Sequence, residues 1–145
     1  MALISLLHGP NLNLLGQREP EVYGAASLAD YVAAVIEAAA VHGHTVEAMQ
    51  TNHEGVLVDA IHGARGRASA IIINPGAFTH YAWAIHDALA AFDGVIIEVH
   101  ISNPNAREAW RHTSVVAPVA TGSIVGLGIT GYRLAVEAIS ARLAV

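Results

Sequence analysis

Ala70-Ile71-Ile72-Ile73-Asn74 is the most restrictive stretch in the chain. Its apolar residues follow one another without alternation, so a strand made from them has no face to give to water. Such a strand belongs in the middle of a sheet that is covered on both sides. Residues 2–8 carry a second continuous apolar run, and Val95 to His100 is a further predicted strand. Thr45 to Gln50 and a short segment around Ser123-Ile124-Val125 complete a set of five predicted strands.

Helical patterns separate these runs. Ser27, with Asp30 three residues on, has the form of an N-cap and opens a helix to about His42 that stops at Gly43. Val56, Leu57, Ala60 and Ile61 fall at helical spacing between His53 and Ala64. Further helices are predicted from about Tyr81 to Phe92 and from Tyr132 to Leu143, with a polar, partly helical segment over 103–113. Strands alternating with helices of this length build right-handed β-α-β crossovers and a parallel sheet. The expected fold is α/β, a flavodoxin-like doubly wound sheet of five strands in the order 2-1-3-4-5 with helices on both faces. The 145 residues form one expected domain.

Composition narrows the chemistry. All seven basic residues are arginine and there is no lysine, so Schiff-base formation, pyridoxal phosphate attachment and a Walker A loop are closed. The absence of cysteine removes disulfides, thiolate metal sites and a Cys nucleophile. A net charge of -5 with scattered arginines gives no footprint for nucleic acid. Apolar residues make up 54% of the chain and charged residues 13%, yet no apolar run has the length of a membrane span. The surplus points to a subunit interface, with a well-filled core as the alternative. The N-terminus shows no basic n-region or cleavable apolar segment, so a cytoplasmic location is expected.

The connection after the first strand, from His8 to Gly24, is far longer than the usual two to six residues. It carries Asn11, Arg18 and Tyr23, and its part from about residue 15 to 24 reads as a lid over a small polar substrate. A free phenol loses its proton near a pKa of about 10, but a neighbouring guanidinium favours phenolate. Arg18 could supply that cation and Arg107 a second one, although a packed tyrosine and a solvated arginine fit the same residues.

In a doubly wound sheet, ligands bind beyond the carboxyl ends of the strands. Three predicted strands end in polar residues: His8-Gly9-Pro10-Asn11, Asn74-Pro75-Gly76-Ala77 and Glu98-Val99-His100-Ile101-Ser102. These strands are neighbours in the expected order, so the three ends converge. Glu98 and His100, two apart, point to one face, where a carboxylate orients an imidazole and favours its protonated form. That suits a general acid, and a purely structural pair is equally open. His80 and Asp87 lie at the start and middle of the predicted 81–92 helix region. Arg107 and Arg111 stand at i, i+4 spacing and could share one face. Gly126-Leu127-Gly128-Ile129-Thr130-Gly131 fits GxGxxG but lacks the following strand and acidic residue of a dinucleotide site, and reads as a tight turn with close helix–sheet packing. The nine histidines form no HExxH or compact ligand set, so no metal is expected. A flavin- or nucleotide-binding module and a metal-dependent hydrolase remain as rival readings.

The segments His8–Gly16 with Arg18-Glu19-Pro20 and Tyr23-Gly24, Asn52-His53-Glu54-Gly55, Ile73–Ala77 with Thr79-His80, Glu98–Asn103, Ala106-Arg107-Glu108 with Arg111-His112 and Ser114, and Ala120–Gly128 together resemble the type II 3-dehydroquinate dehydratases. The likeness spans essentially the whole chain. It implies trans-dehydration of 3-dehydroquinate to 3-dehydroshikimate through an enolate, in the shikimate pathway and without cofactor. By the same likeness, Tyr23 is the base, Arg18 keeps it anionic, and His100, oriented by Glu98, protonates the departing hydroxyl. Asn11 with the backbone of Pro10 and Ala77 would hold a water against the enolate, with Gly76 and Arg107 supporting. Asn74, His80, Asp87, Ile101, Ser102 and Arg111 resemble the substrate-binding set. A homododecamer, a tetramer of trimers, is also implied. Thr51, Trp83 and His86 depart from the pattern, the last two beside Asp87 at the expected subunit contact.

Overall fold

In a computed structural model that describes residues 1–144, β1 (Leu3–His8), β2 (Thr45–Gln50), β3 (Ala70–Asn74), β4 (Val95–His100) and β5 (Gly122–Val125) form one sheet. Its order is β2-β1-β3-β4-β5 and every pairing is parallel. The expected topology is therefore observed. All five residues of β3 are buried, as an unalternating apolar run at the centre of the sheet requires.

Strand alternation divides that strand between two cores. Ala70 and Ile72 join Ile4, Leu6, Ile97 and Val99 under α2 (Leu28–Val41) and α5 (Gly128–Leu143), through Tyr31, Val35, Tyr132, Val136 and Ile139. Ile71 and Ile73 face the other way with Leu7 and Ile96, against α3 (Glu54–Ala64) and α4 (Trp83–Ala90), through Leu57, Ile61, Ile85 and Leu89. Two helices thus cover each face.

Local chemistry starts and stops these helices. Ser27 accepts from the Asp30 backbone N–H at 3.2 Å and its own N–H donates to the Asp30 carboxylate at 2.8 Å, a complete capping box. Pro20–Val41 as a whole has the length and composition of a membrane span. It is nevertheless two helices, α1 (Pro20–Tyr23) and α2, broken at Gly24 and restarted at Ser27, with one face of α2 in the core.

The helix boundaries differ from the sequence reading in three places. The connection after β1 contains the single turn α1, with proline at its first position and Gly24 at φ 80° closing it. His80 belongs to a 3-10 turn, Gly76–His80, and the following helix begins only at Trp83. The last helix starts at Gly128, so four of the six residues of the GxGxxG stretch are helical. Gly131 packs on the sheet as expected: a Cβ there would lie 3.2 Å from the Ile124 side chain.

Register aligns the strand ends. His8 lies beside Gln50 on one side and Asn74 on the other, and Ile73 pairs with Glu98. The loops leaving β1 and β3 are pressed together: a Cβ on Gly9 would stand 2.2 Å from the Pro75 carbonyl oxygen, which only glycine allows. Gly76, at φ 58°, would bring its Cβ to 3.0 Å from the Pro10 carbonyl oxygen. This close approach closes the floor of a crevice at the carboxyl edge of the sheet.

Candidate active site

A cavity of about 270 Å³ opens at that edge, lined by residues from the three strand ends and from the lid segment. Pro10, Asn11, Arg18, Tyr23, Asn74, Gly76, Ala77, His80, His100, Ile101, Ser102, Arg107 and Arg111 all border it. The convergence expected from strand order is therefore real.

Glu98 and His100 share a face of β4, as their spacing requires, and His100 Nε2 lies 2.6 Å from Glu98 Oε2. Only 1% of Glu98 is exposed. Burial would raise its carboxyl pKa, but the His100 hydrogen bond and charge, then the Thr79 and Ser114 hydroxyls, more than offset this and leave it below the ordinary value. Thr79 Oγ1 donates to Oε2 at 2.5 Å, and Ser114 Oγ lies 3.0 Å from both oxygens. Ser114 also accepts from the backbone N–H groups of Val116 and Ala117, which directs its own hydrogen away from them. The result is an ionised carboxylate holding His100 by Nε2, so that Nδ1 is the ring nitrogen free to act on a ligand.

Tyr23 approaches from the lid. Its hydroxyl lies 2.9 Å from Arg107 Nη1 and 3.4 Å from Arg18 Nη2, both of which donate to it. Both guanidinium carbons also lie near the ring, 4.8 Å from its centroid for Arg18 and 5.2 Å for Arg107. Sequence reasoning put Arg18 first, whereas Arg107 is the nearer donor. Arg107 Nη1 reaches Ser102 Oγ as well, at 3.2 Å, so it links Tyr23 to the loop after β4.

His80 Nδ1 lies 2.7 Å from the Thr113 carbonyl oxygen and donates to it, leaving Nε2 as an acceptor. Burial, chiefly, lowers its pKa, with the nearby His100 and Arg111 charges adding to the effect. Arg111 donates through Nε to Glu108 at 2.8 Å and lies over the Trp110 ring at 4.0 Å. The two arginines do not share a regular helix, because the 3-10 turn begins only at Ala109; both nevertheless border the cavity. Trp110, also edge-on to His80, was missed: an exposed aromatic in a polar segment carries no periodic signal.

Asp87 is the one predicted site residue that neither borders the cavity nor, like Glu98, holds a residue that does. It is exposed on α4. Its helix turns Ile85, Ala88 and Leu89 inward, and position 87 therefore faces outward. Beside it, His86 Nδ1 lies 2.6 Å from the Val115 carbonyl oxygen, while Trp83 is 61% exposed.

An oriented imidazole from the sheet and a doubly arginine-bound phenol from the lid define an acid–base site for a small oxygen-rich molecule, on a doubly wound α/β fold. The chain belongs to the class II dehydroquinase family, whose family model, Dehydroquinase class II, matches residues 2–140. It is 52% identical over 139 residues to the 3-dehydroquinate dehydratase of Halalkalibacterium halodurans, covering 96% of each chain. It is also 55% identical over 134 residues to the catabolic 3-dehydroquinase of Penicillium rubens, covering 92% of this chain and 86% of that one. The crystal structure of type II dehydroquinase from Propionibacterium acnes superposes with a TM-score of 0.93 at 44% identity, covering 97% of both chains. The family reaction is dehydration of 3-dehydroquinate to 3-dehydroshikimate, a hydro-lyase step of the shikimate pathway.

Proposed function

We propose that this chain carries out that dehydration as a trans elimination, with Tyr23 as base and His100 as acid. The observation that carries the reading is the pairing of two unlike proton-transfer groups in one cavity: a phenol oxygen that accepts from two guanidinium groups, and an imidazole held by a buried carboxylate. The guanidinium groups stabilise negative charge on the Tyr23 oxygen, which removes a proton from the carbon beside the ketone. Asn11 and the Pro10 and Ala77 backbone, on the same cavity wall, hold a water that stabilises the enolate. His100 then protonates the departing hydroxyl, and Glu98 stabilises the imidazolium needed for that step.

Asn74, His80, Ile101, Ser102 and Arg111 bind the substrate's hydroxyl and carboxylate oxygens, with Gly76 shaping the floor. Residues 15–24 act as the lid, with Gly16 and Gly24, both at positive φ, at its ends. The chain is a cytoplasmic homododecamer built from trimers. In support, Tyr81 and Trp83 are exposed near Asp87, and a neighbouring copy would give that carboxylate a partner its own cavity does not.

The lysine-free sequence makes the test sharp. The purified protein should convert 3-dehydroquinate to an enone-absorbing product and should retain full activity after treatment with borohydride plus substrate, because no imine can be trapped. Failure to turn over 3-dehydroquinate would remove the proposal, and inactivation by reduction would remove its mechanism.

A further inference from the structure

Beneath the cavity lies a buried polar chain of which the proposed function uses only Asn74. Asn74, 3% exposed, ends β3; Tyr132 on α5 and His8 at the end of β1 are both fully buried. Gly76 N–H donates to Asn74 Oδ1 at 3.1 Å, which identifies the oxygen, since an amide NH2 cannot accept. Nδ2 therefore faces the Tyr132 hydroxyl and donates to it at 3.0 Å. The remaining partner of that hydroxyl is His8 Nε2, at 3.1 Å.

The directions of these bonds follow from donor counting. Tyr132 has one hydrogen, and Asn74 Nδ2 cannot receive it, so it goes to His8 Nε2. His8 is then neutral and carries its hydrogen on Nδ1, which faces the Met49 carbonyl of β2 without completing a full hydrogen bond. Burial agrees with this neutrality: it lowers His8 to about 4, against a smaller opposing effect of Met49, and pushes the Tyr132 phenol far up. One polarity results, Asn74 to Tyr132 to His8. The stacking of the His8 and Tyr132 rings, with centroids 5.7 Å apart, keeps the two groups in place.

Asn74 has one further N–H, and the residue borders the cavity. We propose that Tyr132 and His8 are positioning residues that lock the Asn74 amide so that the cavity floor donates, and never accepts, a hydrogen bond at this point. The ligand group it takes is an oxygen with a free lone pair, a hydroxyl or a carboxylate oxygen. The inference rests on the proposed function for the identity of the ligand, but the proton polarity itself does not.

Neutron diffraction from deuterium-exchanged crystals reads that polarity directly. We expect deuterium on His8 Nδ1, none on Nε2, and the Tyr132 deuteroxyl aimed at His8. Deuterium on Nε2 would reverse the chain and overturn the inference, whatever the protein turns over. Kinetics test the consequence in the intact enzyme. Tyr132→Phe should raise KM for 3-dehydroquinate about tenfold and change kcat less than about twofold, as expected when a ground-state contact made equally in the transition state is weakened. His8→Gln, which restores an acceptor near Nε2, should keep KM within about twofold of wild type, and His8→Leu should behave like Tyr132→Phe. A folded Tyr132→Phe or His8→Leu protein with wild-type KM would show a packing role only and would overturn the proposal. Wild-type turnover of 3-dehydroquinate, measured alongside, tests the proposed function separately.

Discussion

Replacing Glu98 by glutamine is the perturbation whose cost the structure defines most closely. The two carboxylate oxygens accept from His100, Thr79 and Ser114, and the residue is 1% exposed, so solvent neither screens nor replaces these bonds. Glutamine offers a single oxygen and places an NH2 group against at least one of the donors. A buried donor left without an acceptor costs about 1 to 3 kcal/mol, and loss of the charge weakens the surviving bonds by about half. Glu98→Gln should therefore lower stability at pH 7 by about 2 kcal/mol, measured by urea denaturation at fixed protomer concentration. Activity should fall further than stability suggests. His100 loses the negative charge that compensates its imidazolium, and kcat should drop about 100-fold, with KM for 3-dehydroquinate changing little. The pH dependence has a definite sign. The folded carboxyl sits below its ordinary value, so its stabilisation is fully present above about pH 4.5 and is lost as pH falls through the folded value; the glutamine variant lacks that acid-sensitive part. A Glu98→Gln protein with near wild-type kcat would show that the carboxylate does not support the acid.

Tyr23→Phe should cut kcat by about 100-fold or more with the fold intact, because the ring is only partly buried and just the proton acceptor is lost; circular dichroism and turnover check this together. Arg107→Ala should cost more kcat than Arg18→Ala, following hydroxyl distances of 2.9 and 3.4 Å, and the reverse order in steady-state assays would return the leading role to Arg18. Acid should destabilise the wild type through His8, neutral when folded and able to protonate when unfolded. Its folded pKa of about 4 against an ordinary 6.5 means stability falls by about 3 kcal/mol between pH 6.5 and pH 4 and then levels for this group; His8→Gln should lack that slope in urea titrations.

The sequence was most informative where chemistry and backbone period coincide. Glu98 and His100 are neighbours because a strand repeats every two residues, and no tertiary knowledge is needed to bring them together. The apolar runs likewise determine which strands are central, and right-handed crossovers leave few orders for five strands. Tyr23 and Arg18 were readable as a pair, since they lie five residues apart in one overlong loop. The turn α1 was not expected there, although Pro20 and Gly24 carry the start and stop signals.

What escaped was contact over long separation. Arg107 was expected only as a second cation for Tyr23, yet it is the nearer donor across 84 residues, and His8 meets Tyr132 across 124. Neither meeting has a local signature, because register and helix docking bring the residues together. Thr79 and Ser114 stand in recognisable motifs, but their joint grip on Glu98 depends on the 3-10 turn before α4 and the loop before β5 meeting over one carboxylate. Asp87 is a different case: its motif is recognisable, but the fold turns its helix face away from the cavity of its own chain.

The central claim is that base and acid act on opposite sides of the substrate, the phenol from the lid and the imidazole from the sheet. The most direct measurement uses 3-dehydroquinate stereospecifically deuterated at the carbon beside the ketone, with the product's label read by mass spectrometry. The account predicts loss of the deuterium trans to the departing hydroxyl and retention of the cis one. Loss of the cis deuterium would contradict it, and would place both proton transfers on one side of the ring.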